Sequence, residues 1–376
     1  MILLLIIFAF LLLNYLLFLS SILKGLKIVS KENNSPNEKY FVSVIIPFRN
    51  EEKNLIKSLE SISSQDYAVA NFEVIYVDDN SDDNSVKVLE EKNNLSNVRI
   101  MKSPVPLEER GHKKQALKYA IENCKGEIII TTDADCVHNK NWISTMVSMF
   151  DKETGFVSGP VEFISNKTLF SELQKIEFSS LILVGAGLIG IKQPIICNAA
   201  NLGFRKTVFD EVGGYEDNLN ISSGDDEFLM QKISHQTNYK VKFCSDKNAI
   251  SFTNPNESID EFYQQRKRWA SKGLYYVQRK TVAKLVLIFL FYIGLITQLF
   301  LGIFSDLIFL YSLKISFILK IIFEYLIVVR KGKKLFGKHK TFHFIIAEFL
   351  HIPYILVAGI SGIFGNYKWK GRKIER

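Results

Sequence analysis

Glu127-Ile128-Ile129-Ile130-Thr131-Thr132-Asp133-Ala134-Asp135 reads as the centre of an α/β sheet. Its first half is a run of β-branched residues, the pattern of a strand buried on both faces in a parallel sheet. The run ends in two carboxylates separated by one small residue. In an open α/β sheet ligands bind outside the carboxyl ends of the strands, where these acids fall. Two hard oxygen ligands there suit Mg2+ or Mn2+, and such an ion neutralises a diphosphate. Taken alone, Asp133 reads equally well as the cap of the next helix or turn.

The flanking sequence repeats the pattern. Val42-Ser43-Val44-Ile45-Ile46-Pro47 is a strand that the proline is expected to stop, and residues 51–63 carry Leu55, Leu59 and Ile62 at helical spacing. Phe72-Glu73-Val74-Ile75-Tyr76-Val77 is a second strand, ending in Asp78-Asp79-Asn80-Ser81. A helix near 85–92, a strand Val98-Arg99-Ile100-Met101 and a helix near 113–123 precede the central strand. This alternation predicts a doubly wound, mostly parallel sheet with right-handed crossovers. Three polar clusters, 47–51, 78–81 and 133–135, then meet at one sheet edge, more than helix capping accounts for. No Gly-rich fingerprint follows the first strand; Gly111 before Lys113 stands alone, which argues against a dinucleotide site.

Composition narrows the class. A net charge of +8 would suit nucleic acid, but the basic residues cluster beside apolar segments and fit a membrane surface instead. Cys124, Cys136, Cys197 and Cys244 lack metal-ligand spacing and a secreted disulfide pattern, as expected of reduced cytosolic thiols. Residues 1–23 carry no charged side chain and are long enough to cross a bilayer; without a basic start or a small-residue cleavage site they read as an anchor. Lys24, Lys27 and Lys31 follow, so the next domain is expected in the cytosol of a cell-membrane protein. The expected domains are an anchor at 1–23, a linker at 24–39, a catalytic domain at 40–280 and a membrane region at 281–376.

The order Val44-Ile45-Ile46-Pro47-Phe48-Arg49-Asn50-Glu51, Val77-Asp78-Asp79-Asn80-Ser81, Asp133-Ala134-Asp135 resembles the nucleotide-sugar half of family 2 glycosyltransferases of the GT-A fold. Gly224-Asp225-Asp226-Glu227 resembles that family's Gly-Glu-Asp element, with Asp225 in place of the usual Glu. Gln265-Arg266-Lys267-Arg268-Trp269 is similar to the Gln-x-x-Arg-Trp element of its membrane-bound synthases. The resemblance implies that Asp78 and Asp79 hold the uracil and ribose of a UDP-sugar, helped by Pro47, Arg49 and Glu51. It implies that Lys113 lies near the nucleotide, where a solvated helix face is the plainer alternative given Lys114 and Lys118. Asp135 is then the better metal ligand, with Asp133 at the sugar or metal shell and Mg2+ or Mn2+ as the cofactor. Asp225 and Asp226 are the catalytic candidates, Asp226 as base; its alternative is an N-cap, which Ser222, Ser223 and Asp225 also offer. Asn201, Gln265, Arg268 and Trp269 are assigned to the acceptor and diphosphate; for the last three, in a run with Arg266 and Lys267, the alternative is a basic membrane-hugging helix that Lys272, Arg279, Lys280 and Lys284 continue.

Residues 181–191 are apolar but too short to span, and read as a core or interfacial helix. Residues 285–304 are expected to span, as are 307–329 despite Lys314, Lys320 and Glu324, whose charges should pair. Residues 330–340 hold six Lys or Arg and no acid, and the tail with Lys368, Lys370, Arg372 and Lys373 also wants the cytosol. Residues 342–364 should therefore enter and leave on one side, bent near Pro353, or lie in the interface. These expectations describe an inverting transfer of sugar from a UDP-sugar to a lipid-type acceptor in the bilayer, with no nucleic-acid partner. A processive polysaccharide synthase is the nearest alternative. A catalytically silent nucleotide-sugar-binding scaffold is the alternative of another class, and a nucleotidyltransferase finds no support in Gln265–Trp269.

Overall fold

In the computed structural model, the alternation of β-branched runs and helices forms a seven-stranded sheet flanked by helices. The structure describes residues 1–32, 40–105, 112–219, 224–276, 278–364, 367–369 and 372–374. Residues 33–39 of the expected linker, Gly111, Ser222, Ser223 and Lys370 lie outside them. Strands β1 (Val42–Phe48), β2 (Phe72–Asp78), β3 (Val98–Lys102), β4 (Ile128–Thr131), β5 (Val137–His138), β6 (Thr154–Ser158), β7 (Val161–Phe163), β8 (Leu202–Arg205), β9 (Lys240–Phe243) and β10 (Ser251–Thr253) follow in order. The large sheet runs β3-β2-β1-β4-β8-β6-β9, and β5-β10-β7 form a smaller one. β1, β2, β3 and β4 are mutually parallel, whereas β8 runs antiparallel to both β4 and β6. The expected mostly parallel α/β sheet is therefore present.

Burial on both faces explains the unbroken apolar runs. Val42, Val44, Ile45, Ile46, Val74, Ile75, Val77, Ile128, Ile129 and Ile130 are all fully buried. Contrary to expectation, β1 does not stop at Pro47 but passes through it to Phe48. The register gives the reason. β4 pairs with β1 only as far as Ile45, so beyond that point Pro47 has β2 alone as a neighbour. A missing N–H on the side without a partner costs no ladder bond.

The chain divides into two compact units, one of residues 27–166 and 184–255, which holds both sheets, and one of 1–26, 167–183 and 256–376. Among the described residues four helices are long and apolar enough to cross a membrane: Ile2–Val29, Leu169–Gly190, Arg279–Phe304 and Thr341–Gly362. The second corrects a boundary. The apolar stretch expected at 181–191 is the end of a 22-residue helix that begins at Leu169, because Glu172, Lys175 and Glu177 hide its first half from a hydropathy reading. The helix Thr341–Phe364 carries Pro353 inside it.

Helix Ile308–Tyr325 is too charged to count among the four; Lys320 and Glu324 are paired within it, while Lys314 is exposed. Lys320 is fully buried; its ammonium lies 3.1 Å from Glu324 and also pairs with Glu348. Tyr15 Oη donates to Glu324 Oε1 at 2.7 Å and lies 3.0 Å from Tyr292 Oη, and its ring stacks on Phe291. One ammonium thus serves two carboxylates while two phenols complete the set, and four helices share the cluster. Removing one member of a buried ion set leaves the remaining charge uncompensated, at a cost of about 3–5 kcal/mol. Lys320→Met should therefore lower the unfolding midpoint of the detergent-solubilised protein sharply. Adding Glu324→Gln and Glu348→Gln should recover most of the loss; an unchanged midpoint in the single variant would show that the cluster is not a structural ion pair.

Candidate active site

The ends of β1 and β2 are joined by a web of short polar bonds. Asn50 and Asn80, just past these strands, have φ of 53° and 58°, a left-handed conformation that Asn tolerates better than most residues. Asp79 N–H donates to the Phe48 carbonyl at 2.8 Å, and Asn50 N–H donates to Ser81 Oγ at 3.1 Å. Glu51 N–H donates to Ser85 Oγ at 2.7 Å, and the Glu51 carboxylate accepts from Asn54 Nδ2. The buried Arg49 guanidinium donates to the carbonyls of Asp79 and Asn80 and lies 3.5 Å from Asp82. Asp78 Oδ1 accepts from Ser81 N–H at 2.9 Å, closing its own turn. Of the residues expected at the donor, Pro47, Arg49, Glu51 and Asp78 shape the two turns, and Asp79 faces the first residue of the helix His112–Glu122. His112 Nδ1 lies 3.2 Å from Asp79 Oδ1. Sequence reasoning passed over His112, whose only signal was its place beside Lys113.

Lys113 gathers the other acids. Its ammonium donates to Asp133 Oδ1 at 2.7 Å and lies 3.7 Å from Asp225 Oδ2. Burial works against its charge, yet Asp133 and Asp225, with Asp226 adding less, hold the Lys113 ammonium above its ordinary value. A solvated helix face is thereby replaced by a cation set between two motifs. Gly224 caps the helix Asp225–Gln236 with φ of 84°, a left-handed conformation in which a side chain would strain the backbone. Gly224 therefore holds the N-cap position, and Asp226 lies in the helix's first turn. Its Oδ2 accepts from Ala199 N–H at 3.0 Å and its Oδ1 from Glu227 N–H at 2.8 Å. Thr131 and Thr132 hydroxyls donate to the carbonyls of Ala199 and Ala200. The end of β4 and the start of the Asp225 helix therefore share one support.

Asp135 Oδ2 accepts from Thr253 Oγ1 at 3.1 Å, and the Cys136 thiol lies 3.7 Å from Asp135 Oδ1. Burial, then Asp135 and Asp133, pushes that thiol well above its ordinary value, so it stays protonated. Among the described residues no cluster of three His, Cys, Asp or Glu is assembled for a metal. Two carboxylates fit a Mg2+-type ion, which normally takes one or two from the protein and completes its shell with water and substrate phosphate.

Asn201 requires a correction. It is fully buried, its Nδ2 donates to the carbonyls of Pro160 and Ala249 at 2.7 and 2.6 Å, and its Oδ1 accepts from Trp142 Nε1 at 3.0 Å. With both ends of the amide committed to internal partners, it does not line a sugar pocket. A Cβ on Gly159 would fall 2.4 Å from this amide, so the contact needs glycine there. His138 stacks 3.9 Å from Trp142 and lies 2.9 Å from Thr132 Oγ1; burial pushes it down to about 3, so it is a neutral prop for β4.

Gln265, Arg268 and Trp269 lie in the other compact unit, on the helix Ile259–Ala270. Gln265 Oε1 accepts from Asn256 Nδ2 at 3.0 Å and from the Arg266 guanidinium. Arg266, which sequence reasoning left as part of a basic run, is buried, pairs with both oxygens of Glu177 and lies 4.3 Å over the Trp269 ring. Tyr354 Oη donates to Glu177 Oε1 at 3.1 Å, and Phe178 stacks on Trp269. The element's glutamine and indole are thus aimed by a residue between them, while Arg268 stays partly exposed.

The amide of Asn201 supplies a direct check on these assignments. Asn201→Ala takes its partner from the Trp142 N–H and from the Ala249 carbonyl, while the Pro160 carbonyl keeps Ser251 N–H, and should cost roughly 2–4 kcal/mol of stability, measured as a fall in unfolding midpoint. At a temperature where the variant remains folded, donor affinity should be unchanged. A stable variant with weakened donor binding would return Asn201 to the ligand.

Residues 43–213 match the family model for glycosyl transferase family 2. A dolichyl N-acetyl-α-D-glucosaminyl phosphate 3-β-D-2,3-diacetamido-2,3-dideoxy-β-D-glucuronosyltransferase of Methanococcus voltae is 26% identical over 245 residues, covering 62% of this chain and 73% of that relative. A UDP-Glc:α-D-GlcNAc-diphosphoundecaprenol β-1,3-glucosyltransferase of Escherichia coli is 32% identical over 148 residues, or 38% of this chain and 55% of that relative. Among solved structures, a mannosyltransferase of Pyrobaculum calidifontis in complex with GDP-Man and Mn2+ superimposes with a TM-score of 0.60. That match covers 95% of this chain and 99% of the other at 14% identity, a likeness of fold alone. The fold, the motif order and these matches lead to one conclusion: residues 43–213 form a glycosyl transferase family 2 domain, in a chain similar to glycosyltransferases.

Proposed function

We propose that this chain transfers a sugar from a UDP-sugar to a lipid-type acceptor in the membrane, by one inverting displacement. The observation that carries the reading is the placement of Lys113 between Asp133 and Asp225, with Asp226 as the next residue along. Acids from two separate motifs share one cation beside the sheet edge where ligands of such folds bind. Asp135, with Asp133 beside it, would hold Mg2+ or Mn2+, which as a Lewis acid takes up charge on the leaving diphosphate. Asp79 and the turns around it hold the nucleoside. Asp226, aimed by two backbone N–H groups, accepts the acceptor hydroxyl's proton as that oxygen attacks the anomeric carbon and the nucleoside diphosphate departs. A single displacement by the acceptor oxygen, with Asp226 as base, inverts the anomeric centre.

The acceptor class rests on three supports. Four helices have the length and composition of membrane spans, lysines and arginines flank them, and two relatives are named for dolichyl and undecaprenol acceptors. Gln265, Arg268 and Trp269 would serve the acceptor and its phosphate, with the guanidinium suited to a phosphate and the indole to a sugar face. The Lys- and Arg-rich segments place the catalytic domain on the cytosolic side by the positive-inside tendency.

Asp226→Asn keeps volume and removes the base. It should lower kcat by at least ~10²-fold, with UDP affinity little changed. Loss of UDP binding as well would make Asp226 part of the donor site or the framework. Chelation with EDTA should abolish turnover and added Mn2+ or Mg2+ should restore it; full activity in excess chelator contradicts the metal assignment.

A further inference from the structure

The turn Gly213-Gly214-Tyr215 follows the helix Lys206–Glu211. Its two glycines hold φ of 67° and 47°, and a Cβ on Gly214 would fall 2.5 Å from the Phe209 ring. This tight turn sets the Tyr215 ring edge-on against Phe209, with centroids 5.1 Å apart. Lys232, two turns along the helix that begins with Asp225 and Asp226, holds it in place. The buried Lys232 ammonium donates to the Gly214 carbonyl and to Asp217 Oδ2, each at 3.0 Å. One helix thus carries both catalytic candidates and fixes the tyrosine.

Tyr215 is 4% exposed, and among the described residues its hydroxyl has no hydrogen-bond partner. Burial, then the charges of Asp225, Asp226 and Cys197, holds the phenol well above its ordinary value, so it stays protonated and able to donate. A buried donor without a partner is destabilising, and a ligand oxygen removes that penalty. The charges around it select the kind of oxygen. The carboxylates of Asp225 and Asp226 act on the phenol, and the Lys113 ammonium is already shared between Asp133 and Asp225. An anionic phosphate would be repelled there; a neutral hydroxyl is not. Asp226, an acceptor only, takes the proton of one hydroxyl, while the phenol offers its own proton to the oxygen of another. Such a pair of groups fits two neighbouring hydroxyls on one sugar ring.

We propose that Tyr215 binds the acceptor, its phenol donating to the hydroxyl next to the one that attacks, and that the acceptor is a lipid already carrying a sugar with adjacent free hydroxyls. This rests on the lipid-acceptor reading above and names the class of that acceptor. A bare lipid phosphate offers neither a hydroxyl proton for Asp226 nor a neutral oxygen for Tyr215.

The test combines the full-length, detergent-solubilised protein, a panel of radiolabelled UDP-sugars, and solvent-extracted lipids from native cells that lack this chain. One portion of the lipids is first treated with periodate, which cleaves the bond between carbons bearing adjacent hydroxyls and leaves a lipid phosphate intact. Transfer of label should fall at least about tenfold after this treatment, because the paired hydroxyls are gone. Tyr215→Phe keeps the ring and removes the hydroxyl. It should lower kcat/KM for the untreated lipids about tenfold, the scale of one hydrogen bond, with UDP affinity by calorimetry and the unfolding midpoint unchanged. Full transfer to periodate-treated lipids overturns the acceptor class, and native kcat/KM in the variant overturns the role of Tyr215. Loss of UDP affinity in the variant also overturns it, since the phenol would then serve the donor. A variant that fails to fold overturns it too, since the hydroxyl would then have a structural partner. No transfer to untreated lipids from any UDP-sugar by the native protein removes the lipid-acceptor reading, and this proposal with it.

Discussion

A single ammonium makes the arrangement of acids possible. Asp133 and Asp225 come from a strand end and a helix start that are far apart in sequence, and both lie within 4 Å of Lys113 Nζ. Two carboxylates gathered on one ammonium repel each other, and the lysine set between them offsets that repulsion. The helix His112–Glu122 thus serves less as a covering layer for the sheet than as the mount for this cation.

The support behind the acids is equally specific. Thr131 and Thr132 hold the 199–200 backbone, that backbone holds Asp226, and the Asn201 amide ties Trp142 to two carbonyls. Each bond is ordinary in strength, about 1 kcal/mol net. Their effect is geometric, because a carboxylate that is to take a proton has to be aimed before the substrate arrives.

Much of this was legible in the residues alone. β-branched runs ending in acids located β1, β2 and β4, and the convergence of their ends followed from the parallel sheet. The parts that were not legible share a cause, since they depend on contacts between distant segments. The antiparallel insertion of β8 beside β4 is set by pairing, and nothing in Leu202-Gly203-Phe204-Arg205 announces it. Asn201 sits in a polar, motif-like segment, yet its amide is consumed by Trp142, Pro160 and Ala249. His112 and Arg266 looked like members of basic runs, and only Asp79 and Glu177, far along the chain, give them roles. The helix Leu169–Gly190 was half hidden because its charged first half includes Glu177, the partner of Arg266. Pairing likewise explains how Lys320 and Glu324 persist in an apolar helix, as the reading of intramembrane charges anticipated.

The proposed function is a short transfer to a lipid by a glycosyltransferase whose acids are organised by Lys113. Membranes containing the protein, fed radiolabelled UDP-sugar, test it most directly. The account predicts label in a solvent-extractable product carrying one or a few sugars, with the anomeric configuration opposite to that of the donor. A solvent-insoluble, high-molecular-weight product cleaved by a polysaccharide hydrolase would contradict it and identify a processive synthase instead.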